Sequence, residues 1–443
     1  MAVTSASDIE RTVMSKVRWR LLPFLVVCYL FALIDRTNVG MASLQMTEDL
    51  GLTKAQFGFG ASLFFISYFL VEVPSNLALE KFGARRWIAR IMISWGLISA
   101  GMAFVQGATS FYILRLVLGA AEAGFFPGII LYLTYWLPPA YRARVLSLFA
   151  IGIPVASFIS SPISGALLTM DGTLGLHGWQ WLFLIEGLPA SLLGLVCLWW
   201  LTDRPGQARW LSAEQRTWLE EQVAAGRPSR PQEEGHSKWQ ILRSPQFWGL
   251  VLACCGASAS GSVLAVWQPQ FLKSFGLSDF HTGLVNSIPY GVATIAMVFW
   301  GYSSDRFHER RWHTAIPLLL IAASAVLVSF SSSLAVVVLL LTCSLVGAYC
   351  FKGPFWSLAS GWLSPRSAAI GIAAINATAN LIGGGIMVNL YAWVHEATGS
   401  YAIALMPLAL LALASALSIL VIARQARQAA RQHVVSPTMT GNA

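Results

Sequence analysis

The stretches Glu80-Lys81-Phe82-Gly83-Ala84-Arg85-Arg86 and Asp305-Arg306-Phe307-His308-Glu309-Arg310-Arg311 lie 225 residues apart and say nearly the same thing. Each gives an acid, a base and a phenylalanine, then a basic pair, and each sits in a short charged loop between long apolar runs. This is an internal repeat inside a membrane protein. The usual physical reason for building such a protein from two halves is to rock one against the other around a central site.

Composition agrees with that reading. Over 443 residues, 56% are hydrophobic and 11% charged, with a mean hydropathy of +0.63. That is too little polar surface to cover a soluble globule, so a polytopic membrane protein is expected. Cys28, Cys197, Cys254, Cys255, Cys343 and Cys350 all fall in apolar runs without CxxC or Cys/His spacing. Neither a disulfide framework nor a metal site is expected from them. Residues Met1 to Arg20 are polar and basic, lack a small-residue cleavage site and lead into a run of spanning length, so they do not read as a removable signal.

The formal charge of +9 does not point to nucleic acid once the charges are located. Of 29 Lys and Arg residues, Lys54 and Lys273 fall in loops assigned to the outside, and Arg36, Arg115 and Lys352 fall within apolar runs. The other 24 gather on one side. By the positive-inside rule both termini and the charged loops are expected in the cytoplasm, with the chain in the inner (plasma) membrane.

Apolar stretches of spanning length start near 19, 55, 87, 109, 143, 180, 246, 282, 314, 333, 366 and 400, two sets of six. The expected organisation is a six-helix bundle over 1–203, a cytoplasmic linker over 204–243 and a second six-helix bundle with a basic tail over 244–443. The linker holds an amphipathic piece around Leu211 to Val223 and the Pro/Arg/Glu-rich run Arg227 to Glu234. The duplication extends further. Pro127 with Trp136-Leu137 near the end of span 4 is echoed by Pro354 with Trp362-Leu363 near the end of span 10, with a slip of one residue.

The twelve spans, the central linker and the two charged loops resemble the major facilitator superfamily, whose recurrent loop pattern is G-x-x-x-D-R-x-G-R-R. The second copy keeps the leading Gly301, Asp305, Arg306 and the basic pair; the first has Asn76 at the leading glycine and Glu80-Lys81 for Asp-Arg. Five further segments resemble the anion:cation symporter family of bacterial organic-acid permeases. They are Asp35-Arg36-Thr37-Asn38, Pro74-Ser75-Asn76-Leu77, Ala121-Glu122-Ala123-Gly124-Phe125-Phe126-Pro127-Gly128, Gly178-Trp179-Gln180-Trp181-Leu182-Phe183 and Gly353-Pro354-Phe355-Trp356. Within that family the chain is similar to permeases for tartrate-like hydroxy acids and for 4-hydroxyphenylacetate, which share the Asp171-Gly172 loop ahead of the Trp-Gln-Trp signature. The resemblance implies an all-α fold of two pseudo-symmetric six-helix bundles, alternating access, and roles for the matched span 4 residues in proton coupling and anion binding.

A charge at bilayer depth costs about 2.5–3.5 kcal/mol on insertion scales, so each one here needs a partner or a task. Asp35 and Arg36 lie adjacent near the end of span 1, where they are either functional or a boundary of that helix. Arg115 and Glu122 are seven residues apart, about 10 Å of rise and nearly the same helical face. Arg36 and Arg115 are candidate guanidinium forks for substrate carboxylate. Asp35 and Glu122 are candidate proton-coupling carboxylates. The competing reading of these four is a salt-bridge network locking span 1 to span 4. Opposite Glu122 the second half carries Tyr349 and Cys350, so proton handling is expected in the first bundle and neutral contacts in the second.

Lys352 is a candidate second anion contact or a snorkelling side chain. Asn376 and Asn380, one turn apart, can bond a substrate or a neighbouring helix. Of the aromatics, Tyr68 and Trp356 are preferred as substrate contacts from their motif neighbourhoods, while Glu72 and Glu186 read as structural. Glu80, Lys81, Arg85 and Arg86, with Asp305, Arg306, Arg310 and Arg311, are expected to form gating latches between helix ends.

No Gly-Lys dipeptide occurs, which excludes a phosphate loop in this chain, and no His/Cys grouping or deep histidine supports an enzyme. No cofactor or metal is expected. The favoured function is proton-coupled uptake of a small organic anion, a hydroxy or sugar acid or an aromatic acid. The alternatives are an efflux antiporter of the same fold, disfavoured because span 5 lacks Gly-Pro-x-x-Gly-Gly, and a non-transporting membrane sensor. The partners are the anion, protons and membrane lipid, not nucleic acid, and the expected state is a monomer.

Overall fold

The polar, basic residues 6–18 do not precede the first span; they form its opening turns. In the computed structural model, which describes residues 6–225, 244–362 and 368–435, α1 runs from Ala6 to Asp49. Val13, Met14 and Val17 recur at helical spacing and are buried, so this stretch has an apolar stripe of its own. Its basic side chains find partners at the surface: Lys16 Nζ donates to Gln215 at 3.1 Å, and the Arg20 guanidinium lies 4.4 Å from the Trp200 ring. At its other end α1 continues past Asp35 and Arg36 to Asp49, roughly 20 Å further along the axis. The pair is therefore within the helix, not a boundary of the span.

The remaining helices of the first half are α2 (Lys54–Phe82), α3 (Ala84–Gly101), α4 (Ala108–Glu122), α5 (Phe125–Thr134), α6 (Pro139–Leu168), α7 (Gly178–Trp200) and the linker helix α8 (Ala213–Ala225). The second half has α9 (Pro245–Lys273), α10 (Asp279–Phe307), α11 (Arg311–Leu327), α12 (Leu334–Cys350), α13 (Lys352–Trp362), α14 (Ala368–Asn380), α15 (Val388–Thr398) and α16 (Met406–Val435). Among the described residues there is no strand, and twelve helical spans are long and apolar enough to cross a membrane.

Three spans are broken. Span 4 parts into α4 and α5 at Gly124, which takes φ 86, and a Cβ there would meet Ser75 Oγ at 2.4 Å. Span 10 parts at Phe351, and span 11 carries a π-helical segment, Leu381–Met387, between α14 and α15. Such breaks free backbone groups at membrane depth and are tolerated where protein or a cavity satisfies them.

The chain divides into two compact units: Met1–Glu233 with Gly276–Ser287, and Glu234–Phe275 with Ile288–Ala443. The start of α10 thus groups with the first unit. Gln45 Nε2 donates to Asp279 Oδ2 and Asn286 Nδ2 to Ser161 Oγ, both at 2.9 Å, and Gly283 stands against Gly165 closely enough that a Cβ would be 3.0 Å from its Cα.

In the first unit α3 packs closely on α7. A Cβ on Gly96 would lie 2.6 Å from Ser191 N, and one on Gly187 2.9 Å from Ala100 N, so only hydrogen fits at either place. Asp203 accepts the Arg85 backbone N–H at 2.8 Å, capping the start of α3, and Trp136 stacks on Trp210 at 5.4 Å. The amphipathic linker piece is α8, which buries Leu219 and Val223. The run Arg227 to Glu234, Leu363 and the last residues of the tail lie outside the described residues.

In the second unit, Ser415 Oγ donates to Leu252 O at 2.6 Å and Trp267 Nε1 to Val388 O at 3.1 Å, tying α9 to α16 and α15. Between α10 and α11, Arg310 Nη2 pairs with Asp305 Oδ1 at 2.7 Å, and Glu309 accepts the backbone N–H groups of Trp312 and His313. His308 takes φ 51 where the first copy has Gly83 at φ 88, so the duplicated turn keeps its left-handed residue even without glycine.

Candidate functional site

Four of the charges singled out from the sequence meet inside the first unit. Gly119 lies in the turn between Arg115 and Glu122, and a Cβ there would be 2.2 Å from Phe64 O. This close approach sets α4 directly against α2 and puts Phe64 beside both guanidinium groups: Arg115 lies 4.8 Å and Arg36 5.6 Å from its ring centroid. Tyr68, one turn on, has its ring 5.0 Å from Arg36.

Arg36 of α1 and Glu122 of α4 form an ion pair through Nη2 and Oε1. The pair is lopsided, with Arg36 32% exposed along its side chain and Glu122 1%. Glu122 Oε2 is buried with no hydrogen-bond partner. Arg115, 1% exposed, donates once through Nη2, to Ala61 O at 3.3 Å, while its Nε and Nη1 are buried without acceptors. A guanidinium with two unmet donors in a dry setting carries a desolvation cost that a carboxylate ligand would relieve.

Asp35 has hydrogen-bond partners of its own. Its Oδ1 accepts from Ser99 Oγ of α3 and from Asn38 Nδ2 at 3.0 Å, and its Oδ2 has no partner. Ser99 and Phe64 were not legible as site residues, since neither carries charge and their positions depend on packing. Asn38 stands three residues after Asp35 on one helix, a spacing from which it could have been found.

The other sequence candidates lie elsewhere. Lys352, Trp356, Asn376 and Asn380 are in the second unit, where Lys352 Nζ is 4.9 Å from the Tyr349 ring centroid and Asn380 Oδ1 accepts from Ser258 Oγ at 3.1 Å. Trp356 packs against Phe355, and Asn376 is exposed on α14. Of the latch residues, Arg85 meets Asp203, Lys81 lies over Phe82, and Arg310 meets Asp305; Glu80, Arg86 and Arg306 are exposed and Arg311 is half-buried. Among the described residues no cluster of His, Cys, Asp and Glu could hold a metal ion.

The sequence profile of the Major Facilitator Superfamily matches residues 25–388, and the chain belongs to that superfamily. It is 47% identical over 423 residues, 96% of this chain and 94% of the relative, to a protein of Agrobacterium vitis named "Putative tartrate transporter". It is 42% identical over 380 residues, 85% of this chain and 87% of the relative, to a "Quinolone resistance transporter" of Acinetobacter baumannii. Among solved structures, a bacterial homologue of the human lysosomal transporter Spinster, crystallised inward-facing and occupied, superposes with a TM-score of 0.76 at 17% identity over 92% of this chain and 97% of that one. At that identity the likeness speaks for the fold: all-α, twelve spans, the major facilitator architecture. The chain is a multi-pass membrane transporter of that type.

Proposed function

We propose that this transporter carries a small hydroxylated organic acid, of the tartrate class, into the cell together with protons. The observation that carries the reading is the cluster of buried Arg115, Asp35 and Glu122 with half-buried Arg36, in which cations and carboxylates meet inside the first unit and Arg115 retains two unmet donors. Arg115 and Arg36 receive the substrate carboxylate. Glu122 competes with the substrate for Arg36, so protonation of Glu122 releases Arg36 to the anion, and the proton and the anion then occupy one site together. Asp35, held by Ser99 and Asn38, is the second proton carrier. The termini and charged loops lie in the cytoplasm, where 24 of the 29 basic residues gather, and the Asp305–Arg310 and Arg85–Asp203 pairs act as latches. The relative from Agrobacterium vitis supports the substrate class by its name.

A second reading, proton-coupled efflux, has one observation in its favour, the relative named for quinolone resistance. One assay separates them: uptake of labelled tartrate, a sugar acid, 4-hydroxyphenylacetate and benzoate into proteoliposomes under an inward proton gradient, beside Arg115→Ala. Accumulation of one acid at least tenfold above its level without a gradient, abolished in the variant, is expected. If no acid accumulates and a quinolone instead moves against the gradient, efflux replaces symport. A membrane sensor would leave the variant indistinguishable from the wild type.

A further inference from the structure

The sequence reads Glu186 as structural, yet the fold places it among the coupling residues. It lies on α7 beside Gly187, where the absence of a side chain lets α7 approach Ser99 and Ala100 of α3. Its carboxyl group is 4% exposed. Ser164 Oγ of α6 donates to Oε1 at 2.6 Å, and Oε2 has no partner. Asn38 Nδ2 and Ser99 Oγ both donate to Asp35 Oδ1, and Ser99 stands against Gly187, the next residue of α7, so the Ser164–Glu186 pair and the Asp35 group share one neighbourhood.

Two features of this neighbourhood call for a proton. Asn38 Oδ1 and Glu186 Oε2 are both buried acceptors without donors. An acceptor left facing an apolar interior costs about 1–3 kcal/mol, more when it is charged, and a proton on Oε2 removes the charge that makes Glu186 the costlier of the two. The charge count agrees: Asp35, Glu122 and Glu186 set three carboxylates against the two guanidinium groups of Arg36 and Arg115. A buried charge without a counter-ion is disfavoured by several kcal/mol. Of the helices packed on α7, α1 presents Asp35 as the titratable group facing Glu186, while α3 and α6 present Ser99 and Ser164, which do not titrate.

We propose that Glu186 is a further proton-carrying residue of the transport cycle, beside the Asp35 group. A proton taken from the aqueous phase forms an O–H bond on Oε2; on release that bond breaks and the proton returns to water. The proposal rests on the proton-coupled reading above.

The test uses the full-length protein in proteoliposomes with a pH difference of one unit. Each coupled proton raises the accumulation ceiling about tenfold per pH unit. Glu186→Gln is therefore expected to keep substrate exchange at zero gradient within twofold of wild type and to lower gradient-driven accumulation by about tenfold. Glu186→Asp, which retains an ionisable carboxyl, is expected to restore it with a shifted pH profile. Unchanged accumulation in Glu186→Gln, or an equal loss of exchange and accumulation in both variants, overturns the proposal in favour of packing. A parallel infrared titration reads the proton itself: a protonated carboxyl band that appears reversibly on acidification and is missing in Glu186→Gln supports the site, and spectra identical in the two proteins overturn it. If the wild type shows no gradient dependence, it is the symport reading that fails, and the infrared result still decides whether Glu186 binds a proton.

Discussion

Replacing Glu122 with glutamine changes shape by almost nothing and charge by one, and the geometry predicts opposite effects on binding and on driven transport. Arg36 is bound to Glu122 Oε1, so in the proposed mechanism a substrate carboxylate has to take it from that partner. A hydrogen bond to a charged partner contributes about 1.5–3 kcal/mol net, and a neutral one about 1 kcal/mol. Glutamine still presents an acceptor oxygen to Arg36, so the competition weakens by the difference. At 1.4 kcal/mol per decade this is about a tenfold gain in anion affinity. Because Arg36 is 32% exposed, water can solvate the freed guanidinium, and the large penalty of an orphaned buried charge does not apply. Under the proposed coupling the same substitution also takes away a proton carrier, so accumulation against a gradient is expected to disappear and the pH dependence of binding to flatten. Calorimetric titration of the acid with purified protein at two pH values, beside proteoliposome accumulation, measures both. An affinity that falls in Glu122→Gln, or accumulation that survives, would refute the competition mechanism and return the four charges to a structural network.

Two further predictions concern the scaffold. Gly187→Ala places a methyl 2.9 Å from Ala100 N, and overpacking of this kind costs about 1–3 kcal/mol, so the melting temperature in detergent should fall and the Glu186–Ser99 neighbourhood should open, with reduced transport. Glu309, in the connection before α11, is held below its usual value of 4.5: partial burial pushes it up, and the backbone N–H of Trp312 and the side chain and N–H of His313 outweigh that. A depressed folded-state value means the cap stabilises above the unfolded value and is lost as pH falls through the folded one. Glu309→Gln should therefore lower stability by about 1 kcal/mol at pH 7, with the gap to wild type closing in acid, as read by thermal melts across pH.

How much was legible differs between residues for physical reasons. The twelve spans follow from composition and length, because a bilayer demands about 20 apolar residues whatever their neighbours are. The duplicated loops needed no structure to be recognised. Arg36, Arg115, Asp35 and Glu122 stood out because charge at depth is costly and rare. The polar face of residues 6–18 concealed a helix whose apolar stripe is supplied by Val13, Met14 and Val17 packing on the bundle.

Other features depend on which helices touch. Nothing local distinguishes Glu186 from a structural carboxylate or marks Ser99 as a donor to Asp35; the first follows from where α7 packs on α3 and α6, the second from α3 meeting α1. The same holds for Phe64, placed beside two guanidinium groups by the contact at Gly119, and for Asp203, which caps a helix that begins 119 residues earlier. The amino-acid sequence by itself determined that this chain spans a membrane twelve times, in two related halves, with costly charges in the first. Only the tertiary structure decided which of those charges share partners, because hydrogen bonds and ion pairs act over a few ångströms and the helices that bring them together are far apart in the chain.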